Sequence, residues 1–169
     1  MRVLERPGAV LSGCGRYRYQ LRRDLPGPPR RGVVGFVLLN PSTADADHDD
    51  PTLRRCLGFA ARWGAAGVVV GNLFAWRATD PRALAAAPDP VGPHNDRHLA
   101  AIAAAADLVV CGWGVHGAGA RAAAVIARLA ATATPLYHLG LTAGGQPRHP
   151  LYLPATTRRR RWRTAPLAG

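Results

Sequence analysis

Residues 33–39 read VVGFVLL, an unbroken apolar run, and the polar segment NPSTAD follows it at residues 40–45. An apolar run of this length is typical of a β-strand that helices cover on both faces. Pro41 lacks the backbone N–H that a sheet ladder needs, so it marks the end of the strand. The pattern predicts a buried parallel strand with the amide of Asn40 at its carboxyl end.

The same unit of strand and helix recurs along the chain. Shorter apolar runs predict three more buried strands, at residues 68–70, 108–111 and 135–139. Helices are predicted to begin at the capping side chains of Asp50, Asp80 and Asn95, and a fourth helix covers residues 118–131. Strands that alternate with helices at this spacing indicate a parallel sheet.

An alternating stretch at residues 16–22 predicts one more strand. Tyr17, Tyr19 and Leu21 share one face and polar residues share the other, which is typical of a half-buried edge strand. We therefore expect an α/β three-layer sandwich, with a central, mostly parallel four-stranded sheet plus an N-terminal antiparallel edge strand. A single domain is expected over residues 1–155, followed by a basic C-terminal tail at residues 156–169.

Composition narrows the class of protein. The chain has 169 residues, of which 48% are hydrophobic and 19% charged, and this excludes a disordered or fibrous protein. The formal net charge is +12, every basic residue other than His is Arg, and residues 108–169 contain no Asp or Glu. Such a basic half favours a polyanionic partner, either nucleic acid or a phosphorylated ligand. A tail that only keeps the protein in solution is the alternative.

Cysteine usage and hydropathy exclude other classes. The three cysteines are odd in number and far apart, so neither a disulfide framework nor a zinc ribbon is expected. No apolar run is long enough to cross a bilayer, and Glu5 and Arg6 interrupt the N-terminus before any signal-peptide core. We expect a cytoplasmic protein without a membrane partner, a metal ion or a cofactor.

In open parallel sheets, ligands bind beyond the carboxyl ends of the strands. An amide offers both a donor and an acceptor, so Asn40 can hold a water and Asn72 can pair with the edge of a flat heterocycle. Phe74 can stack on such a ring, with Arg77 nearby. His149 can donate a hydrogen bond to an anion that develops in a cleft. Alternatively, Asn40 closes a turn, Asn72 satisfies backbone groups and Phe74 belongs to the core.

The acidic cluster at residues 45–50 begins like a calcium-binding loop. Asp50 stands where that loop needs Gly, and Cys56 stands where it needs Glu, so the calcium interpretation fails. We expect most of these carboxylates to cap the following helix and to complement its dipole. A weak magnesium site remains the alternative.

Two further motifs bear on phosphate binding. Residues 112–117 match GxGxxG between a strand and a helix, but the confirming acid of a dinucleotide site is absent because no Asp or Glu follows Asp107. The C-terminal RRRRWR at residues 158–163 suits phosphate contacts with one stacked base. The candidate phosphate-binding residues are Ser42, Arg148, Arg158, Arg159, Arg160 and Arg161.

At several of these motifs the sequence resembles a bacterial family, domain-of-unknown-function family 1643. The matching segments are LNPSTAD at 39–45, DDPT at 49–52, NLF at 72–74, RAT at 77–79 and RHPLYL at 148–153. The resemblance covers about residues 10–153 and implies no activity.

The order of the strand-end motifs is also remotely similar to that of the uracil-DNA glycosylase superfamily. In that superfamily an Asp-Pro or Asn-Pro positions the water, an Asn after the second strand recognises the base, and a His-Pro-Ser segment supports the leaving base. Asn40-Pro41, Asn72 and His149-Pro150 match these motifs, whereas Leu151 replaces the Ser and the Gly-rich context around Asn40 is missing.

This second resemblance implies an enzyme that hydrolyses the N-glycosidic bond of a nucleobase in DNA or in a nucleoside. Asn40, Asp45 and His149 would be its catalytic residues, and Asn72, Phe74 and Arg77 would bind the base. Two other hypotheses remain open from the sequence. One is a non-catalytic nucleic-acid-binding protein on the same scaffold, and the other is an enzyme that binds a small phosphorylated ligand at residues 112–117.

Overall fold

The computed structural model describes residues 2–28 and 30–164, which form seven β-strands and four α-helices. The strands are β1 (Gly8–Leu11), β2 (Arg18–Asp24), β3 (Val33–Leu38), β4 (Gly67–Asn72), β5 (Leu108–Cys111), β6 (Leu136–His138) and β7 (Arg160–Arg161). The helices are α1 (Pro51–Arg62), α2 (Pro81–Ala85), α3 (Asn95–Ala105) and α4 (Ala120–Ala130). Within the described residues, no helix has the length and apolar character that a membrane span requires.

The strands form one mixed sheet in the order β1-β2-β4-β3-β5-β6-β7. Strand β3 pairs in parallel with β4 and β5, and β5 pairs in parallel with β6. The pairs β1-β2, β2-β4 and β6-β7 are antiparallel. The predicted mixed α/β class is confirmed. The prediction of a mostly parallel four-stranded sheet with one edge strand is wrong, because the sheet has seven strands and half of its pairings are antiparallel.

The differences have local causes. Strands β1 and β7 are short, and β7 consists of two exposed arginines, so neither shows the apolar alternation that marks a half-buried strand. The strand predicted at residues 16–22 is β2, which lies between β1 and β4 and is not an edge strand. The polar face of this strand was predicted to be exposed to solvent, and this prediction is also wrong, since Arg18 and Gln20 are both buried.

Helices pack against both faces of the sheet. Val34, Phe36 and Leu38 of β3 belong to one core cluster together with the buried side of α1. Val37 belongs to the other cluster, which contains buried residues of α3 and α4. Successive side chains of a strand point to opposite faces. Helix α1 therefore covers one face of the sheet, and α3 and α4 cover the other.

Asp50 attaches the loop after β3 to helix α1. Its Oδ1 accepts a hydrogen bond from the Leu53 N–H at 2.8 Å, as an N-cap does, and Pro51 occupies the first helical position. Its Oδ2 also accepts from the Ala44 N–H at 3.3 Å. A single carboxylate thus holds both the start of α1 and the loop that begins at Asn40.

The predicted cap of α3 is wrong. His94 is the N-cap residue and makes no side-chain cap hydrogen bond, whereas Asn95 lies inside the helix. The Asn95 Nδ2 donates to the carbonyls of Asn72 and Leu73 at 2.9 and 3.0 Å. Tertiary bonds to the end of β4 have replaced the local capping bond that the sequence predicts.

Replacing Gly71 of β4 by Ala is expected to destabilise the fold by about 1–3 kcal/mol, because the added methyl group overpacks the contact between the sheet and α3. A Cβ at this position would lie 2.7 Å from Ile102 Cδ1 and 2.8 Å from Leu99 Cδ2. Urea denaturation of the wild type and the variant measures the difference.

Gly58→Ala is the matched control. A Cβ at Gly58 would meet no atom within 4 Å, and the residue lies in α1. Alanine is favoured over glycine in helices by roughly 1 kcal/mol, so this variant should be as stable as the wild type or more stable. Equal stability of the two variants would contradict the packing assigned to Gly71.

Candidate functional site

A cavity of about 600 Å³ opens at the carboxyl ends of the parallel strands β3 and β4. Its walls come from these strand ends, the start of β2, the N-termini of α1 and α2, the loop after β5 and the segment at residues 148–152. Asn40, Asn72 and His149 all line it, although they are distant in the sequence. The volume lies in the range of pockets that enclose small molecules, about 300–1,000 Å³.

Asn40 is held in one orientation by backbone carbonyls. Its Nδ2 donates to the Pro41 carbonyl at 3.0 Å and to the Ala78 carbonyl at 2.8 Å. Both donor hydrogens of the amide are therefore used within the protein. The Oδ1 remains as an acceptor for a ligand or a water.

Asn72 ends β4 and is 2% exposed, yet its Oδ1 has no hydrogen-bond partner among the described residues. A buried polar atom without a partner costs about 1–3 kcal/mol. Its backbone carbonyl, in contrast, accepts from the Asn95 Nδ2. The Asn72 side chain therefore has an unmet hydrogen-bond acceptor in a residue that lines the cavity.

His149 has a defined tautomer. Its Nδ1 accepts a hydrogen bond from the Leu151 N–H at 3.2 Å, so the proton of the neutral ring lies on Nε2. Burial lowers the pKa of His149 below its ordinary 6.5, against a smaller opposing effect of Asp50. At neutral pH the ring is uncharged, and its Nε2–H is a hydrogen-bond donor.

The glycines of the GxGxxG segment bring the loop after β5 close to His149. A Cβ at Gly112 would lie 2.9 Å from Pro150 Cδ and 3.2 Å from the Arg148 carbonyl oxygen. Gly114 has a φ of +71°, and its N–H donates to the Pro147 carbonyl at 2.8 Å. This close approach accounts for these two glycines without a bound dinucleotide.

The sequence patterns did not indicate Arg18 and Asp50 as site residues. Both line the cavity and both are buried, Arg18 with 4% exposure. Burial lowers the pKa of Arg18 to about 10, and the charge of Asp50 partly opposes this effect, so the guanidinium is charged at neutral pH. No local signal in the sequence marks Arg18 as a site residue. It lies with other polar residues on the face of β2 that was predicted to be exposed.

Tyr152 stands at the rim of the cavity and is 78% exposed. Its ring centroid lies 5.7 Å from that of His149. Val115, also well exposed, lines the same cavity. An exposed aromatic ring beside a cavity offers a stacking surface, and the RHPLYL motif was the only sequence signal for it.

The other predicted residues divide into two groups. Ser42 and Arg148 line the cavity, whereas Asp45, Phe74 and Arg77 do not. Phe74 packs against the core cluster of α3 and α4. The Arg77 Nη1 donates to the Gly15 carbonyl at 3.3 Å.

Asp45 is committed to its own turn. Its Oδ1 accepts from the backbone N–H groups of Asp47 and His48 at 2.9 and 2.8 Å and lies 3.1 Å from the His48 Nδ1. These hydrogen bonds lower the pKa of Asp45 to about 2. In the described part of the chain, no group of three or more His, Cys, Asp or Glu side chains is arranged to hold a metal ion.

The C-terminal arginines lie along the far edge of the sheet. Arg160 and Arg161 form β7, and the Trp162 N–H donates to the Leu136 carbonyl at 2.8 Å. Arg159 stacks over the rings of Trp63 and Tyr137, and Arg161 over that of Tyr137. Arg158 and Arg160, together with Arg148, line a second depression of about 470 Å³, called here the arginine groove.

Comparison with known proteins places the chain in a family. No curated protein and no solved structure matches it. The family described as "Protein of unknown function (DUF1643)" matches residues 18–151. The match includes the cavity residues Arg18, Asn40, Asp50, Asn72 and His149, and it ends one residue before Tyr152. The chain is a member of the DUF1643 family.

Proposed function

We propose that this chain hydrolyses the N-glycosidic bond of a nucleobase, in a nucleoside, a nucleotide or DNA, with Asn40, Asn72 and His149 as its central residues. One observation carries the proposal: these three side chains line a single cavity at the carboxyl ends of parallel strands. Their order along the chain is similar to that of the water-positioning, base-reading and base-supporting motifs of the uracil-DNA glycosylase superfamily.

In the proposed reaction, the bond between the sugar C1′ and the base nitrogen breaks, and its electron pair leaves with the base. A water oxygen bonds to C1′ and releases a proton to solvent, while the departing base gains a proton. Negative charge develops on an oxygen of the base during this step. The neutral His149 donates its Nε2–H to that oxygen, as a preorganised donor does in an oxyanion hole.

Asn40 would orient the water. The carbonyls of Pro41 and Ala78 hold its amide nitrogen, so Oδ1 accepts from the water and directs it at C1′. An amide is a poor base, and Asp45 does not assist it in this scheme, because it lies outside the cavity and a carboxylate with a pKa of about 2 is a weak base. Stabilisation of the leaving base therefore supplies most of the catalysis.

Base binding would depend on Asn72 and Tyr152. The unmet acceptor of Asn72 suits a donor on the edge of a base. We assign stacking to Tyr152 in place of Phe74, because Tyr152 is exposed at the cavity rim whereas Phe74 packs into the core. Arg77 lies outside the cavity and has no role in this scheme.

The arginine groove favours a second candidate, a non-catalytic protein that binds nucleic acid. Arg148 lines both the groove and the cavity, so a polyanion in the groove would extend to the cavity mouth. This candidate predicts steep salt dependence of binding. It also predicts that Asn40→Ala and His149→Ala leave binding intact and that no substrate releases a base.

His149→Ala is expected to lower the rate of base release about 10²- to 10³-fold, because it removes the donor to the leaving base. Asn40→Ala should lower kcat by about 10²-fold or more through loss of water orientation. Chromatographic detection of free base, with nucleosides, nucleotides and damaged-base oligonucleotides as substrates, measures both effects.

The matched control is His48→Ala, since His48 is 80% exposed and lies outside the cavity. This variant should release base at the wild-type rate. Absence of base release by the wild type across the whole panel would contradict the proposal, and binding of the same oligonucleotides would then test the second candidate.

The rate should fall at acidic pH, below the ordinary histidine pKa of 6.5. The reaction needs neutral His149, and burial holds its folded-state pKa below 6.5, so the ring is neutral above that value and gains a proton as the pH falls through its lowered pKa. A protonated Nδ1 would also face the Leu151 N–H. A pH–rate profile of kcat/KM is expected to be flat above 6.5, and its acid limb should be missing from the residual activity of His149→Ala. An identical limb in that variant would assign the titration to another group.

Tyr152→Ala should raise KM about tenfold or more, because stacking on one base contributes about 1–3 kcal/mol. Tyr152→Phe retains the ring and should behave like the wild type. Steady-state kinetics of the two variants provide the measurement. If Phe proves as harmful as Ala, the hydroxyl group matters and stacking does not explain the residue.

A further inference from the structure

Arg18 is a buried cation in the cavity wall. It is the first residue of β2, and its backbone N–H donates to the Ala75 carbonyl at 3.0 Å. Its side chain extends towards the loop after β3, where Nη1 donates to the Ala44 carbonyl at 2.6 Å. The residue is 4% exposed and is one of two arginines that line the cavity, the other being the exposed Arg148.

Among the described residues, no carboxylate lies within ion-pair distance of Arg18. Asp50 is the only acidic residue in the cavity lining. Its charge acts on Arg18 from beyond ion-pair distance and only partly opposes the effect of burial, which lowers the pKa of Arg18. Removing one charge from water without pairing it costs several kcal/mol. Another favourable interaction is therefore needed to offset the desolvation of Arg18.

The donors of Arg18 are incompletely used. Only Nη1 has a partner, and the buried Nε has none among the described residues. A guanidinium presents its N–H groups as a planar fork that matches two oxygens of a carboxylate or a phosphate. The missing partner therefore has the chemistry of an oxyanion.

We propose that Arg18 binds an oxyanion of the substrate inside the cavity, so that the substrate is a small anionic molecule, a nucleoside monophosphate or a base that carries a carboxylate. The nucleoside or base part of this ligand rests on the proposed function, whereas the oxyanion part rests on Arg18 alone. The cavity, at about 600 Å³, has room for a ligand larger than a single base.

This arrangement favours a free small molecule over a polynucleotide. A base that flips out of a nucleic acid brings a neutral heterocycle into its pocket and leaves its phosphates at the mouth. The arginine groove adjoins the cavity at Arg148, which lines both, and it could hold such phosphates. Arg18 lies in the wall of the cavity itself, where only an anion that enters with the ligand can reach it.

The test compares charged and uncharged ligands by isothermal titration calorimetry of the full chain at constant ionic strength. One arm uses each common nucleoside with its 5′-monophosphate, and the other uses uracil with orotate, its carboxylated form. We expect the charged member of at least one pair to bind on the order of 10- to 100-fold more tightly, as a charge-assisted bidentate contact would give. The arm that shows the preference identifies the oxyanion as phosphate or carboxylate.

Arg18→Gln should remove most of this preference and leave the affinity for the uncharged member nearly unchanged. Arg18→Lys keeps the charge but loses the fork, so it should retain part of the preference, and it replaces the Gln variant if that variant does not fold. The control is Arg128→Gln, which removes the same charge from the exposed face of α4 and should bind like the wild type.

Equal affinity for the two members of every pair would overturn the proposal. A preference that survives in Arg18→Gln and disappears in Arg148→Gln would also overturn it, because the oxyanion would then bind at the rim. Binding of oligonucleotides without binding of any small anion would overturn it as well. Base release is assayed in the same samples, so an anion preference without cleavage would refute the proposed reaction and leave the assignment of Arg18 standing.

Discussion

The parallel register between β3 and β4 is the constraint on which the site depends. Leu38 pairs with Asn72, and beyond this pair the N–H groups of Leu73 and Phe74 donate to the carbonyls of Leu38 and Leu39. Two chain segments that leave the sheet side by side place Asn40 and Asn72 at one edge. A shift of one residue in β4 would turn the Asn72 amide to the other face of the sheet.

The rest of the cavity is built against this edge by contacts that each join two elements. Asp50 joins the loop after β3 to α1, and Asn95 joins α3 to the end of β4. Gly112 allows the loop after β5 to approach the segment that carries His149. Each contact depends on a polar side chain or on a glycine that lacks a Cβ. The same interactions therefore stabilise both the fold and the cavity walls.

The electrostatics of the cavity combine three uncharged polar side chains with a buried cation. His149 is kept neutral by burial, and Asn40 and Asn72 carry no charge, whereas Arg18 remains charged without an ion-pair partner among the described residues. A neutral donor suits a leaving group that becomes negative, since its hydrogen bond strengthens as charge develops. A fixed cation suits a ligand that is already negative when it binds. The two features therefore divide the proposed work between bond cleavage and recognition.

The sequence by itself determined the features of local structure that depend only on residues close together in the chain. The apolar runs located β3 to β6, and the Asp-Pro pairs located the starts of α1 and α2. Their positions after predicted strands made Asn40, Asn72 and His149 candidate site residues. Only the tertiary structure decided which polar groups are buried. Arg18 alternates like a solvent-facing residue, and Phe74 follows a strand end like a ligand-facing one, yet their environments are the reverse. The burial of these residues depends on which strand lies next to β2 and on how α3 and α4 pack over β4. Such long-range packing cannot be predicted from the periodicity of the sequence.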